Sequence, residues 1–264
     1  MITKLIGSIL TPRIKKAINV WRFPDGYVLK NYNVAKKYSF EYNSMATNHN
    51  HDFMFDKLFM DSYKLGDATG SWRGGEIFWR AYIYFWAANQ TKHLEGDFVE
   101  CGVHKGGYAI GAINYIDFIS LNKKFFLFDT YQGLSKEHLT DKEKKEGVFE
   151  KYESFYPGDY YEEVKKRFSN YKNVEVIKGT VPETFSQVSI NKVCFLSIDM
   201  NCTPPERATL EYFWDKLVSG AIIVLDDHGF VAHKEQKMSN DEFAKSKGLE
   251  VLILPTGQGV IIKP

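Results

Sequence analysis

The chain has 264 residues, enough for one α/β domain of ordinary size plus an appended segment, and its 44% hydrophobic and 25% charged content excludes a disordered chain. Thirty-four Lys and Arg against 33 Asp and Glu leave a net charge of +1, so no clustered basic excess argues for nucleic acid, and a small or neutral partner is expected. No stretch reaches the ~20 apolar residues of a membrane span.

The first 20 residues carry an apolar patch interrupted by Arg13, Lys15 and Lys16, too short for a signal-peptide core. Residues 1–75 lack a strand–helix alternation and are read as an N-terminal arm and helical cap, with a helix around Asp52–Tyr63 between the loops Asn48–His51 and Gly70–Gly75. His49 and His51, in a polar loop, are read as solvated. The aromatic crowd from Trp72 to Trp86 reads first as a packed helix and second as a substrate or subunit surface. On that second reading a homo-oligomer is expected.

From about residue 96 short apolar runs alternate with helical patterns, the signature of a parallel sheet. The expected strands are Asp97–Cys101, Phe125–Phe128, Val174–Ile177, Val193–Ile198, Ala221–Leu225, Leu249–Leu254 and Gly259–Ile262, with helices near 107–120, 159–169, 204–218 and 233–246. Only Pro255-Thr256-Gly257-Gln258 separates the last two strands, too few residues for a helical crossover, so they form an antiparallel hairpin. The expected fold is therefore α/β: a doubly wound, seven-stranded, mostly parallel Rossmann-like sheet spanning residues 76–264. Residues 135–158 form an unusually long connection of the kind that makes lids. Cys101, Cys194 and Cys202 are odd in number and lack metal spacing, which points to free thiols in a reducing compartment, by default the cytoplasm.

Three groups of residues carry chemistry. Glu100-Cys101-Gly102-Val103-His104-Lys105-Gly106-Gly107 ends a strand on an acidic residue and runs through glycines into a helix, so backbone passes close to a ligand at the strand's carboxyl end. Its acidic-x-Gly-x-x-x-Gly spacing differs from the Gly-x-Gly-x-x-Gly of dinucleotide folds, which argues against an NAD(P) oxidoreductase and for a cofactor with an amino-acid tail, S-adenosylmethionine. Glu100 would face its ammonium or sulfonium end and the loop amides its carboxylate; the bland alternative is an ordinary strand–turn–helix. Asp129 closes the next strand, where a carboxylate accepts two hydrogen bonds from a ribose diol or else caps a turn. Asp199, Asp226 and Asp227 end two further strands on the same face. Three converging carboxylates repel one another unless protonated or bound to a cation, and oxygen-only ligands select a hard ion, Mg²⁺ or another divalent cation.

With these motifs in place the chain resembles the macrocin O-methyltransferase family, Mg²⁺-dependent sugar O-methyltransferases of macrolide and aminocoumarin tailoring. The resemblance covers residues 74–264 and rests on Val99–Gly107, Phe128–Leu134, Val176–Thr184, Leu196–Asp199 and Asp226–Gly229. It implies that S-adenosylmethionine is held by Glu100, by Gly102, Val103, Lys105, Gly106 and Gly107, by Asp129 and Thr130, and by the turn Lys178-Gly179-Thr180. It implies further that Asp199, Asp226 and Asp227 hold the metal, Asp199 doubling as a base. His228 or His233 would take the released proton, or else be loop histidines in water. Met200-Asn201-Cys202 follows Asp199 where the family shows an acidic residue and then Leu-Tyr, and His228 stands where a Tyr is common. The acceptor pocket is therefore expected to be remodelled, with the acceptor a glycan, glycolipid or glycosylated metabolite. A metal-free methyltransferase, and an inactive methyltransferase fold serving as a binding module, are the competing readings.

Overall fold

The structure, a computed structural model, describes residues 40–42, 45–47 and 49–264, so the expected arm over residues 1–39 lies outside the described residues. Two compact units are present, the larger of which takes in His51–Pro264. Strands β1 (Phe40–Tyr42) and β2 (Met45–Thr47) pair as a two-stranded sheet.

The larger unit is built on β3 (Asp97–Cys101), β4 (Phe125–Asp129), β5 (Val174–Lys178), β6 (Val193–Ile198), β7 (Leu217–Leu225), β8 (Leu252–Ile253) and β9 (Gly259–Ile262). The spatial order is β5-β4-β3-β6-β7-β9-β8. All pairs are parallel except β7 with β9 and β9 with β8. The doubly wound sheet with a terminal antiparallel hairpin is thus present as the sequence indicates. The order reverses between β3 and β6, and at such a switch point an open α/β sheet leaves a crevice beyond its carboxyl ends.

The helices are α1 (Lys57–Asp67), α2 (Phe78–Thr91), α3 (Gly107–Tyr115), α4 (Asp141–Lys145), α5 (Val148–Glu153), α6 (Tyr161–Phe168), α7 (Thr203–Phe213) and α8 (Lys234–Ser246). The pattern over 204–218 ends as a helix at Phe213, because Leu217 already opens β7. The expected 249–254 strand shrinks to two residues, both exposed on the sheet edge. Short edge strands are one way in which proteins blunt unpaired sheet edges. The long connection after β4 is not bare loop. Its first helix, α4, is nucleated by a capping box in which Thr140 accepts from the Glu143 amide while the Glu143 carboxylate accepts from the Thr140 amide.

Both faces of the sheet are covered. Val99, Cys101, Phe126, Leu196 and Ile223 face one layer, and Phe98, Leu127, Phe195 and Val224 face the other, the period-2 alternation of strands buried on both sides. The aromatic crowd joins the second layer. Tyr84 of α2 stacks on Tyr108 of α3 at 4.7 Å, and Phe59 and Tyr63 of α1 are buried in the same cluster. Residues 57–67 therefore belong to the core of this unit instead of standing apart as a cap. No helix among the described residues is long and apolar enough to cross a membrane.

Candidate active site

The ends of β3 and β6 lie against each other, with the Asp199 amide donating to the Cys101 carbonyl at 2.9 Å. Gly102 makes that possible: its φ is +89°, and a Cβ there would sit 1.8 Å from the Asp199 carbonyl oxygen. Gly106 (φ +79°) opens α3 in the left-handed region, where a Cβ would strike the Phe168 ring at 2.6 Å. Gly107 donates its amide to Ser71 Oγ at 2.9 Å. Between these elements lies a cavity of about 140 Å³ at the sheet's switch point.

Of the residues assigned to the cofactor, Gly102, Val103 and Gly107 line this cavity from the loop. Asp129 and Thr130 line it from the end of β4, and Gly179 and Thr180 from the end of β5. Four do not line it. Glu100 is 1% exposed and accepts a hydrogen bond from the Tyr84 hydroxyl; burial, with Asp199 and Asp129 adding to it, pushes its carboxyl up to about 8. The Lys105 ammonium lies over the Tyr160 ring at 4.6 Å. Gly106 packs against Phe168, and Lys178 pairs with Asp159 at 2.6 Å.

Asp129 is committed to its own backbone. One oxygen accepts from the amides of Val103 and His104 at 2.6 and 2.7 Å; the other accepts from the Tyr131 amide at 2.6 Å and from Thr130 Oγ1 at 3.3 Å. Its lone pairs therefore brace the glycine loop, the turn role that the sequence left as the bland alternative to a ribose contact.

Residues not foreseen singly also line the cavity: Ser71, Trp72, Tyr108, Tyr156, Tyr160 and Asn201. Trp72 and Tyr156 sit in stretches already marked as aromatic, but nothing in the spacing singled them out. Trp72 Nε1 is buried without a hydrogen-bond partner, and an indole N–H left bare beside a cavity is a donor open to a ligand.

On the other side of the switch point Asp199, Asp226 and Asp227 converge, each offering a carboxylate oxygen within 4.8 Å of the others. The Asp226 amide donates to the Ile198 carbonyl at 3.0 Å, which sets the ends of β6 and β7 side by side. Burial holds the Asp199 carboxyl well above the usual carboxylate range; repulsion by Asp227 adds to this, and Arg80 opposes it. Arg80, from α2, enters the cluster with an ion pair to Asp226 Oδ2 and a longer one to Asp227 Oδ1 at 3.9 Å. The mutual repulsion expected of three carboxylates is thus partly relieved by a guanidinium that sequence spacing did not reveal, 119 positions before Asp199. Asp227 Oδ2 is buried and accepts no hydrogen bond.

The two histidines part company. His233 is buried, with Nε2 2.7 Å from the Tyr152 hydroxyl and 3.9 Å from Asp227 Oδ2. The Gln236 amide nitrogen donates to Glu206 at 2.8 Å, so its oxygen faces His233 Nδ1; that nitrogen carries the proton, and Nε2 is the acceptor for Tyr152. His228 packs against Gly259 with Nε2 3.4 Å from Asp241 of α8, and burial lowers its pKa. It lies on the α8 side and lines neither this cavity nor the one beside His233.

A second cavity, of about 240 Å³, is walled by α4, α5 and residues 231–236 and reaches Asn201, which also borders the first cavity. Asn201 Nδ2 lies 3.3 Å from the Tyr156 hydroxyl and 3.4 Å from Asp199 Oδ1, so the connection after β4 touches the acidic cluster through Tyr156 and His233 through Tyr152.

Strand order β5-β4-β3-β6-β7-β9-β8, a glycine loop after the first sheet strand and a cavity at the switch point define a class I methyltransferase. Solved structures agree on the fold. The chain is similar to the O-methyltransferase NovP at 20% identity, over 70% of this chain and 79% of that one, with a TM-score of 0.61. It is also similar to CalS11, a calicheamicin methyltransferase, at 14% identity, over 81% of this chain and 94% of that one, with a TM-score of 0.57. The chain belongs to the macrocin-O-methyltransferase (TylF) family, whose profile matches residues 82–255. It is therefore an S-adenosylmethionine-dependent O-methyltransferase. Among curated proteins no sequence match is found.

Proposed function

We propose that the enzyme methylates a hydroxyl of a sugar-containing acceptor, with a divalent cation, Mg²⁺ by ligand chemistry, held within the cluster formed by Asp199, Asp226 and Asp227. The observation that carries this reading is the meeting of three carboxylates beside the cofactor cavity, with Asp199 lining that cavity itself. The donor set suits a hard cation: all oxygen, and with Asp227 Oδ2 buried and unpartnered. Such an ion supplies Lewis-acid chemistry, lowering the pKa of an alcohol that is otherwise a poor nucleophile near neutral pH. The sulfonium of S-adenosylmethionine supplies the methyl group.

The chain's own residues bind and orient. Gly102, Val103 and Gly107 would hold the amino-acid end of the cofactor and Gly179 and Thr180 its other end, since all five line the cavity. The second cavity takes the acceptor. Its walls carry both ammonium and carboxylate groups, Lys142, Lys151, Glu146 and Glu235 among them, which suits a hydroxyl-rich molecule. Asp199, which lines the cofactor cavity and meets Asn201 at its border with the second, serves as the base, and His233, its Nε2 accepting from Tyr152, passes the proton onward through the tyrosine hydroxyl. Residues 135–158 serve as the lid of the acceptor site. Three buried free thiols fit a reducing, cytoplasmic setting.

Arg80 inside the acidic cluster favours a second reading, a metal-free transfer in which the guanidinium supplies the positive charge and His233 is the base. Turnover of labelled S-adenosylmethionine with a panel of sugar nucleotides and glycosides, before and after EDTA, separates the two. Loss with EDTA and recovery with Mg²⁺ is the expected result. Full activity after chelation, in protein free of metal by elemental analysis, establishes the second.

A further inference from the structure

The carboxylates of the acidic cluster are not equivalent. Asp226 is 2% exposed and is the carboxylate that Arg80 engages: Oδ1 accepts from Gln258 Nε2 at 2.9 Å, the Tyr108 hydroxyl at 3.3 Å and Arg80 Nε at 3.4 Å, while Oδ2, which accepts no hydrogen bond, is ion-paired with Arg80 Nη2. One guanidinium thus meets both oxygens of one carboxylate, Oδ1 through Nε and Oδ2 through the Nη2 ion pair. Gln258 locks the arrangement from behind, its Nε2 also reaching the Arg80 carbonyl at 3.3 Å. The Phe230 ring covers the guanidinium at 5.2 Å. Asp199 and Asp227 are bound far less. Asp199 Oδ1 has one long contact, to Asn201 at 3.4 Å, and Asp227 Oδ2 has no hydrogen bond at all.

With all three carboxylates ionised, as they would be around a bound cation, they carry three negative charges and Arg80 returns one positive, which leaves two, the charge of one divalent ion. We propose that Arg80 is a built-in counter-cation that claims Asp226, leaves Asp199 and Asp227 as the carboxylates open to the metal, and thereby sets the affinity of the site for divalent cations. This rests on the proposal that the cluster binds a metal. A like charge a few ångströms from a cation site weakens binding, and the low-dielectric walls here strengthen that effect. The arginine also withholds a third anionic ligand.

The test is binding of Mn²⁺, followed by electron paramagnetic resonance and calorimetry at fixed ionic strength, on the full chain without cofactor or acceptor. Arg80→Met removes the charge and frees Asp226, and is expected to tighten Mn²⁺ binding by about tenfold or more. Arg80→Lys keeps the charge and is expected to stay within about threefold of wild type. Because Arg80→Met leaves a buried carboxylate unpaired and can impair folding, the double variant Arg80→Met/Asp226→Asn removes both members of the pair; replacing both members of a buried ion pair is commonly tolerated. Its cluster again carries two negative charges, so wild-type affinity is expected. Equal or weaker Mn²⁺ binding by a folded Arg80→Met protein overturns the proposal, as does a loss of more than about tenfold in the double variant, since Asp226 would then be a required ligand. Absence of Mn²⁺ binding in wild type and every variant overturns the metal reading and this proposal with it, whereas tight wild-type binding with an indifferent Arg80→Met sinks only the role of the arginine.

Discussion

Two clusters of carboxylates stand at the carboxyl ends of neighbouring strands, one on each side of the switch point, and they are handled in opposite ways. On the β3–β4 side Asp129 spends its oxygens on three loop amides and a threonine hydroxyl, and Glu100 is sealed beneath the sheet end with Tyr84 as its partner. On the β6–β7 side Asp227 keeps a buried oxygen without a hydrogen bond, and Asp199 makes one long contact. In the first cluster the charge of Asp129 is absorbed by backbone N–H groups, which fixes the shape of the glycine loop, and Glu100 is buried against a tyrosine hydroxyl. The second holds unsatisfied charge in a half-closed place, a state that costs stability and persists where a ligand or a reaction uses it. A strand-end aspartate looks the same in sequence in both settings; only its partners tell bracing from binding.

The sharpest way to break the contrast is to remove charge on the β6–β7 side. Asp199→Asn keeps shape and deletes charge and basicity, and methyl transfer is expected to fall by about 10²–10⁴-fold, the range that a general base contributes. The melting temperature should hold or rise, because relief of repulsion from Asp227 accompanies the loss. Transfer from labelled S-adenosylmethionine is the measurement, and an active Asp199→Asn enzyme would make the unsatisfied cluster a passive feature.

The corresponding change on the scaffold side acts through folding. Gly102→Ala puts a methyl group into the Asp199 carbonyl and demands φ +89° of an L residue, so a loss of about 3 kcal/mol or more is expected in chemical denaturation. Gly106→Val strikes Phe168 rather than the cavity, so any loss of cofactor binding should track the unfolded fraction. Calorimetry at a temperature where that variant is folded separates the two, and a folded variant that has lost the cofactor would return Gly106 to the ligand's surface. Smaller again is Asp129→Asn. An amide presents at most one oxygen to the donors now shared by two, and a loss of about 2 kcal/mol is expected, with cofactor affinity reduced through a loosened loop.

Much of this was legible because it depends on the local chain. Alternating apolar runs gave the seven strands, and the four-residue link Pro255–Gln258 required the antiparallel hairpin. Strand-end position alone gathered Asp199, Asp226 and Asp227, since parallel strands bring their carboxyl ends together. What stayed hidden depends on contacts between distant segments. Arg80 reads in sequence as one polar residue on an aromatic helix, and only the packing of α2 across the sheet end brings it to Asp226. His228 and His233, five residues apart, read alike; one turn of 3₁₀ helix at Val231–His233 sends the second toward Tyr152 and Asp227, while the first packs under Asp241. Glu100 was expected at the cofactor because the motif ends on it, yet a residue inside β3 points to one face of the sheet or the other, and here that direction leads to Tyr84.

The last and smallest effect tests whether Glu100 belongs wholly to the scaffold. Burial is the main cause that pushes its carboxyl up from 4.5 to about 8, with Asp199 and Asp129 adding to the rise and the Tyr84 hydroxyl opposing it. Between those two values the unfolded chain has released this proton while the folded chain retains it, so the group makes the folded state lose stability as pH rises through the window, with no further change above about 8 or below 4.5. Glutamine has no proton to lose, and its Oε1 can still accept from Tyr84. Glu100→Gln is therefore expected to gain on wild type steadily from about pH 5 to pH 8 and to hold a constant advantage beyond, read as the difference between urea-denaturation free energies at pH 5, 6.5, 8 and 9. Its affinity for S-adenosylmethionine should change by less than about threefold, below the effect of breaking one charged hydrogen bond. A pH-independent difference would mean that the carboxyl sits in a wetter place than its 1% exposure indicates. A tenfold or larger loss of cofactor affinity would mean that the ammonium end of the ligand reaches through to Glu100 and that the β3–β4 cluster, like its neighbour, is built to bind.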